Sequence, residues 1–146
     1  MRSIVVALAL AAAAAVATAA PAGMSDVTSK PTLQARSSAY GRVLTDGRGF
    51  VVYAFTRDRG RSACYGACAA AWPVYFKSSR LTAGRGVVRS ELGTTRRRDG
   101  RRQVTYAGHP LYYYVGDRKP GQILCQNVTE FGGTWLVVRP SGRLVR

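Results

Sequence analysis

Residues 53 to 58 read Tyr-Ala-Phe-Thr-Arg-Asp and residues 112 to 117 read Tyr-Tyr-Tyr-Val-Gly-Asp; both fit Tyr-x-aromatic-x-x-Asp and lie 59 positions apart. A recurrence this specific constrains the fold more than any other feature, because it predicts two copies of one folding unit. Alternate side chains of a strand share a face, so Tyr53 and Phe55 are expected to point one way, as are Tyr112 and Tyr114. Aromatic residues suit strands because their bulk packs on a pleated, half-buried surface. Asp58 runs into Arg59-Gly60 and Asp117 into Arg118-Lys119-Pro120-Gly121, both turn sequences. An aspartate there is expected to accept backbone N–H groups two residues on, closing an Asx-type turn.

The likeness extends in both directions. Arg42 to Thr45 leads through Asp46-Gly47-Arg48-Gly49 to Phe50 and Tyr53, and Gln103 to Tyr106 leads through Ala107-Gly108-His109-Pro110 to Leu111 and Tyr112. Each reads as strand, glycine-containing turn, aromatic strand, which is a hairpin pattern. Downstream, Trp72 lies 14 residues beyond Asp58 and Trp135 lies 18 beyond Asp117. Val137-Val138, Arg139-Pro140-Ser141-Gly142 and Arg143-Leu144-Val145 predict a final hairpin. A lone hairpin is at best marginally stable in water, so the two copies are expected to pack their apolar faces together. The aromatic residues could alternatively form a platform for a ligand, but aromatics in strands more often pack. The expectation is an all-β domain of two similar hairpin-containing repeats.

Residues 1 to 20 carry the parts of a secretory signal: Arg2, an apolar Ala-rich run from Ile4 to Val16, and Ala17-Thr18-Ala19 as a cleavage site. The run falls short of the roughly 20 residues that a membrane span needs. Residues 21–36 mix Ala, Pro, Ser and Thr without periodicity and read as a tether. Residues 37–146 are then the folded domain, which is one ordinary domain in size. No cysteine precedes Cys64, so no lipidation cysteine follows the signal, and the expected location is secreted or in the cell envelope.

Cys64-Tyr65-Gly66-Ala67-Cys68-Ala69-Ala70-Ala71-Trp72-Pro73 predicts a short helical turn, favoured by the alanines and ended before Pro73. At helical spacing Cys64 and Cys68 face the same way, and an exported protein meets an oxidising compartment. With Cys125 the possible bridges are 64–68, 64–125 and 68–125; proximity ranks the first highest, and the second would staple the repeats together. A rival use of Cys64, Cys68, Cys125 and His109 is redox chemistry or copper binding, since soft copper(I) accepts thiolates and imidazole. Against it, His109 sits between Gly108 and Pro110 in a predicted turn, and the paired Cys-x-x-Cys of zinc sites is missing. No nucleophile-elbow sequence and no phosphate-cradling glycine loop occurs. Asp58 and Asp117, two of only seven acids, are committed to turns. No catalytic site and no cofactor is expected.

Formal net charge is +15, and the excess is arginine rather than lysine. The densest run holds Arg96, Arg97, Arg98, Arg101 and Arg102 around Asp99-Gly100. Such a patch attracts polyanions. Because the run sits at a glycine turn with no aromatic residue interleaved, a solvated loop is the plainer expectation. Export sets cytoplasmic nucleic acid aside and leaves anionic envelope polymers or another envelope protein as candidate partners.

The doubled motif, the Cys64–Pro73 segment, the stretch from Tyr106 to Gln122 and the Phe131-Gly132-Gly133-Thr134-Trp135-Leu136-Val137-Val138 ending together resemble a bacterial family. It is the secreted repeat, or predicted lipoprotein, family named for its Yx(F/W/Y)xxD motif. The resemblance covers roughly residues 40 to 145. It implies a secreted or envelope-attached protein, supplies no chemistry because the family's function is uncharacterised, and implies a Cys64–Cys68 pair, which belongs to the family pattern before Trp-Pro. Many relatives carry a lipidation cysteine that this chain lacks, and Cys125 lies outside the family's usual pair. On this reading the protein is a non-enzymatic binding or interaction module.

Overall fold

A computed structural model describes residues 29–146; the expected signal, and the tether as far as residue 28, lie outside the described residues. The elements are β1 (Leu33–Ser38), β2 (Gly41–Asp46), β3 (Tyr53–Phe55), α1 (Ala67–Ala71), β4 (Leu92–Arg96), β5 (Arg102–Tyr106), β6 (His109–Pro110), β7 (Val128–Glu130) and β8 (Gly133–Val137), with a 3₁₀ turn at Arg89–Glu91. Folded structure begins earlier than the composition indicated. Residues 33–36, read as tether, form most of β1, and Thr32 and Leu33 are buried. Their alternation of apolar and polar residues is too short to stand out until β2 supplies an antiparallel partner, Leu33 opposite Asp46 through Ser38 opposite Gly41.

Each repeat opens with a hairpin, β1–β2 in the first and β4–β5 in the second, with Leu92 opposite Tyr106. A tight turn then reverses the chain. At Ala107-Gly108 both residues have positive φ (47° and 77°), the left-handed pair of a short hairpin turn, which glycine tolerates without strain. The chain next enters the motif strand. At the centre Tyr53 and Tyr112 pair with each other, each donating its N–H to the other's carbonyl at 2.8 and 2.9 Å.

The repeats exchange their last strands across this pair. Tyr53 of the first repeat lies opposite Val137 of the second, and Tyr112 of the second lies opposite Val74 of the first. The same exchange continues next door, where Leu44 N–H donates to the Val138 carbonyl and Val104 N–H to the Tyr75 carbonyl, both at 2.8 Å. An approximate twofold axis thus passes between the two signature tyrosines. Neither half completes its own sheet, so the duplication gives one domain rather than two.

The central strands are buried on both faces, which is why residues 51–55 and 135–138 are almost unbroken apolar runs. Val51, Tyr53, Phe55, Tyr112, Trp135 and Val137 belong to one core cluster, whereas Val52, Ala54, Leu111 and Val138 belong to the other. Trp72 and Trp135 stack at the middle of the first cluster, with centroids 4.0 Å apart and planes 2° from parallel. Tyr53 meets Trp72 edge-on at 5.3 Å and Tyr112 meets Trp135 edge-on at 5.1 Å. Phe55 lies on Trp135 and Tyr114 against Trp72, each across the axis. The aromatic residues are packing, as expected: all but the half-buried Tyr114 are shielded from water.

The halves differ between motif and tryptophan. The first repeat has α1 there, as predicted, and the second has the β7–β8 hairpin, with Val128 opposite Trp135. Consequently Trp72 Nε1–H donates to Glu130 at 2.9 Å, while the buried Nε1 of Trp135 has no partner.

Candidate functional site

The motif aspartates do more than turn the chain. Asp58 N–H donates to the Phe55 carbonyl and Asp117 N–H to that of Tyr114, so both copies make the same tight reversal. Their carboxylates do not bind N–H groups two residues on, as an Asx turn would require. Asp58 Oδ1 accepts the N–H of Ala63 at 2.8 Å, and Asp117 Oδ1 accepts that of Leu124 at 3.0 Å. The second oxygens cross the axis. Tyr112 Oη donates to Asp58 Oδ2 at 2.8 Å, and Tyr53 Oη donates to Asp117 Oδ2 at 2.6 Å. Each repeat's tyrosine is therefore held by the other repeat's aspartate. Burial pushes both tyrosine hydroxyls up, and burial is also the foremost cause that lifts the Asp58 carboxyl to about 6 and raises that of Asp117.

Only one of these two locks is extended. Tyr112 Oη also meets Ser62 Oγ at 2.7 Å, and Arg97 donates to the same Ser62 oxygen. Arg97 further donates to Gln103 Oε1 at 3.1 Å and to the Cys64 carbonyl at 2.8 Å. Two hydroxyls thus link a guanidinium to the Asp58 carboxylate. Arg97 is only 5% exposed, although the sequence placed it in a solvated run. Its acceptors are all neutral, and its Nε–H has no partner. Among the described residues the ion pairs are Arg48–Asp46 and Arg101–Asp99, so no carboxylate touches this buried charge.

The twofold relation supplies an internal comparison. With Leu33 set on Leu92 and Asp46 on Tyr106, Ser38 falls at the place of Arg97 and Val43 at that of Gln103. With Ala63 set on Leu124, Ile123 falls at the place of Ser62. The second lock closes without any of the three polar side chains. The Arg97–Gln103–Ser62 group is therefore not a requirement of the duplicated frame.

Above this group lies an open cleft of about 700 Å³ between the Arg61–Tyr65 loop and the end of the β4–β5 hairpin. Arg61, Arg96 and Arg98 are exposed along it, and Arg97 forms its floor. The guanidiniums of Arg97 and Arg98 lie 4.1 and 4.0 Å from the Tyr65 ring centre, close enough for cation–π contact. Arg101 is paired with Asp99 at 2.7 Å and lies 3.9 Å over Phe76, while Arg102 donates to Thr94 Oγ1 at 3.1 Å. The arginine run is thus split. Arg96 and Arg98 face the cleft, Arg97 is built into the protein, and Arg101 and Arg102 belong to the neighbouring surface. The fold brings to the run the aromatic residues that the sequence keeps apart. Arg61, Ser62 and Tyr65 escaped sequence reasoning because they lie more than thirty positions from the run; their position beside Cys64 was the available signal.

Cys64 and Cys68 form a disulfide, with Cα atoms 5.3 Å apart, and Cys125 is free and half-buried. In the bridged state Cys64 and Cys68 have no thiolate to give a metal, so they are not open ligands beside Cys125 and His109. His109 opens β6 instead, and burial depresses its pKa. Among the described residues no group of three or more His, Cys, Asp or Glu is gathered as a metal site. Cys125 follows Leu124 as Cys64 follows Ala63, so it stands at the second repeat's counterpart of the Cys64 position.

A family described as a secreted repeat of unknown function matches residues 35–75 and 93–139, more than half of the chain. The chain belongs to this family. The two matched segments start inside β1 and β4 and end on the two exchanged strands, so the family's repeat is the unit that the approximate twofold relates. No curated protein and no solved structure matches the chain. The family is described as secreted, in keeping with an extracytoplasmic protein, and no helix among the described residues is long and apolar enough to cross a membrane.

Proposed function

We propose that the protein is an exported, non-enzymatic binding module that holds an anionic polymer of the cell exterior in the cleft bounded by Arg61, Tyr65, Arg96 and Arg98. One observation carries the reading: a buried guanidinium without a carboxylate partner, Arg97, underlies this cleft, while the equivalent place in the other repeat has Ser38, Val43 and Ile123. A buried charge is costly unless paired. The Asp58 carboxylate reaches this guanidinium only through two hydroxyls, an anion in the cleft adds negative charge close to it, and arginine suits phosphate or sulfate groups because its planar fork binds two oxygens at once. The net charge of +15 favours the encounter over long range.

The test is binding of long-chain polyphosphate to the purified, oxidised protein across a salt series. Affinity should fall linearly with salt on logarithmic axes. Arg61→Gln with Arg96→Gln and Arg98→Gln should weaken binding at least tenfold and flatten the salt slope. These three side chains are exposed, so the fold should be unaffected. Equal affinity and slope in the triple variant would refute the assignment.

A further inference from the structure

Another basic cleft, of about 690 Å³, is lined by His109, Arg139, Arg143, Leu144 and Arg146, between the Ala107-Gly108 turn and the C-terminal hairpin. That hairpin is closed by Arg139 N–H donating to the Arg143 carbonyl at 2.9 Å and by the bridge between Val138 and Leu144. The internal comparison applies again. The corresponding cleft of the first repeat lies between the Asp46–Gly49 turn and the strand at Val74–Lys77. There Lys30, Arg48 and Lys77 stand beside one acid, Asp46, which pairs with Arg48 at 2.9 Å. In the second repeat Tyr106 stands at the place of Asp46 and Arg139 at that of Phe76. Tyr106 Oη donates to the Pro140 carbonyl at 2.6 Å, which anchors the hairpin bearing the arginines. No carboxylate side chain lines this cleft. At this end repeat two has thus lost the acid, and at the other it has gained Arg96 and Arg97.

Both basic clefts sit on the β4–β5–β6 sheet, at opposite ends of β5. One meets the sheet beyond Arg102 and the other beyond Tyr106. At roughly 3.3 Å per residue, the strand separates them by about 15 Å. A single phosphate cannot reach both, whereas a longer chain of phosphates has the length to do so.

We infer that the Arg139–Arg143 cleft is a second anion subsite, and that the two clefts together select long polyanions over short ones. The inference rests on the proposed function of the first cleft. Occupying the first cleft raises the local concentration of the same chain at the second, so affinity rises with chain length without any new contact at either site.

The experiment compares long-chain polyphosphate with tripolyphosphate, at fixed salt and equal phosphate concentration. The wild-type protein should prefer the long chain by about a hundredfold. Arg139→Gln with Arg143→Gln should reduce that preference to about tenfold or less while leaving tripolyphosphate binding within about twofold. A control removing the same charge elsewhere, Arg118→Gln with Lys119→Gln, should keep the preference. If the cleft variant discriminates as well as the control, the second subsite is refuted. If the wild-type protein binds both ligands without preferring the long chain, this inference fails and the first cleft stands. If it binds neither, both fail.

Discussion

Removal of the Tyr112 hydroxyl tests how the repeats hold each other. Tyr112→Phe keeps the ring that packs edge-on against Trp135 and deletes only Oη, which donates to Asp58 at 2.8 Å and meets Ser62 at 2.7 Å. A hydrogen bond to a charged acceptor contributes about 1.5–3 kcal/mol, and here the loss also strands a half-buried carboxylate oxygen. The expected cost is about 2 kcal/mol, or about 6–10 °C in Tm for a domain of this size. Tyr53→Phe removes one bond to Asp117 and no serine contact, so it should cost somewhat less. Thermal unfolding of oxidised protein, followed by near-ultraviolet circular dichroism, reads both. The pH dependence adds a signed check. Burial raises the Asp58 carboxyl from 3.8 to about 6, so between these values the folded state holds more protons than the unfolded one. That contribution is fully present below pH 3.8 and is lost as pH rises through about 6. Tyr112 stabilises the charged form, so its removal should move the loss to higher pH. A cost for Tyr112→Phe below about 0.5 kcal/mol, the level of an ordinary surface change, would refute the lock. A loss that moved to lower pH would do the same.

Arg97→Ala removes donors to Ser62, Gln103 and Cys64 from a buried site and should lower stability by about 2–4 kcal/mol in urea titration, whereas Arg98→Ala, exposed, should change it by under about 0.5 kcal/mol. Gly133→Ala would place a methyl group 2.5 Å from the buried Phe55 ring, so it should destabilise by about 1–3 kcal/mol, with the loss appearing as a lowered Tm. Cys68→Ser should raise the count of alkylatable thiols in unfolded protein from one to two by mass spectrometry, and should cost about 2 kcal/mol because the bridge closes only a short loop.

The duplication was legible in the sequence because it depends on local chemistry. Aromatic alternation, glycine turns and the alanine-rich cysteine segment each report short-range preferences, and each formed as expected. The partners of Asp58 and Asp117 were not legible. Local reasoning assigns an aspartate in a turn to nearby N–H groups, and these two reach tyrosines 54 and 64 positions away. Arg97 was misread for the same reason. Within a run of arginines at a hairpin end, no neighbour in sequence marks one side chain for burial, since its acceptors Ser62 and Cys64 come from the other repeat.

By itself the sequence determined that there are two copies of a β unit with aromatic residues on one strand face, and that two cysteines four residues apart can meet. Backbone propensity and spacing act within a few residues, so they survive in a linear reading. Only the tertiary structure decided that the repeats trade their last strands, that each tyrosine answers to the opposite aspartate, and that the Arg97 and Arg139–Arg143 clefts adjoin one sheet. Those facts depend on which distant segments share space, and a difference between two otherwise equivalent halves becomes visible only when the halves are laid against each other.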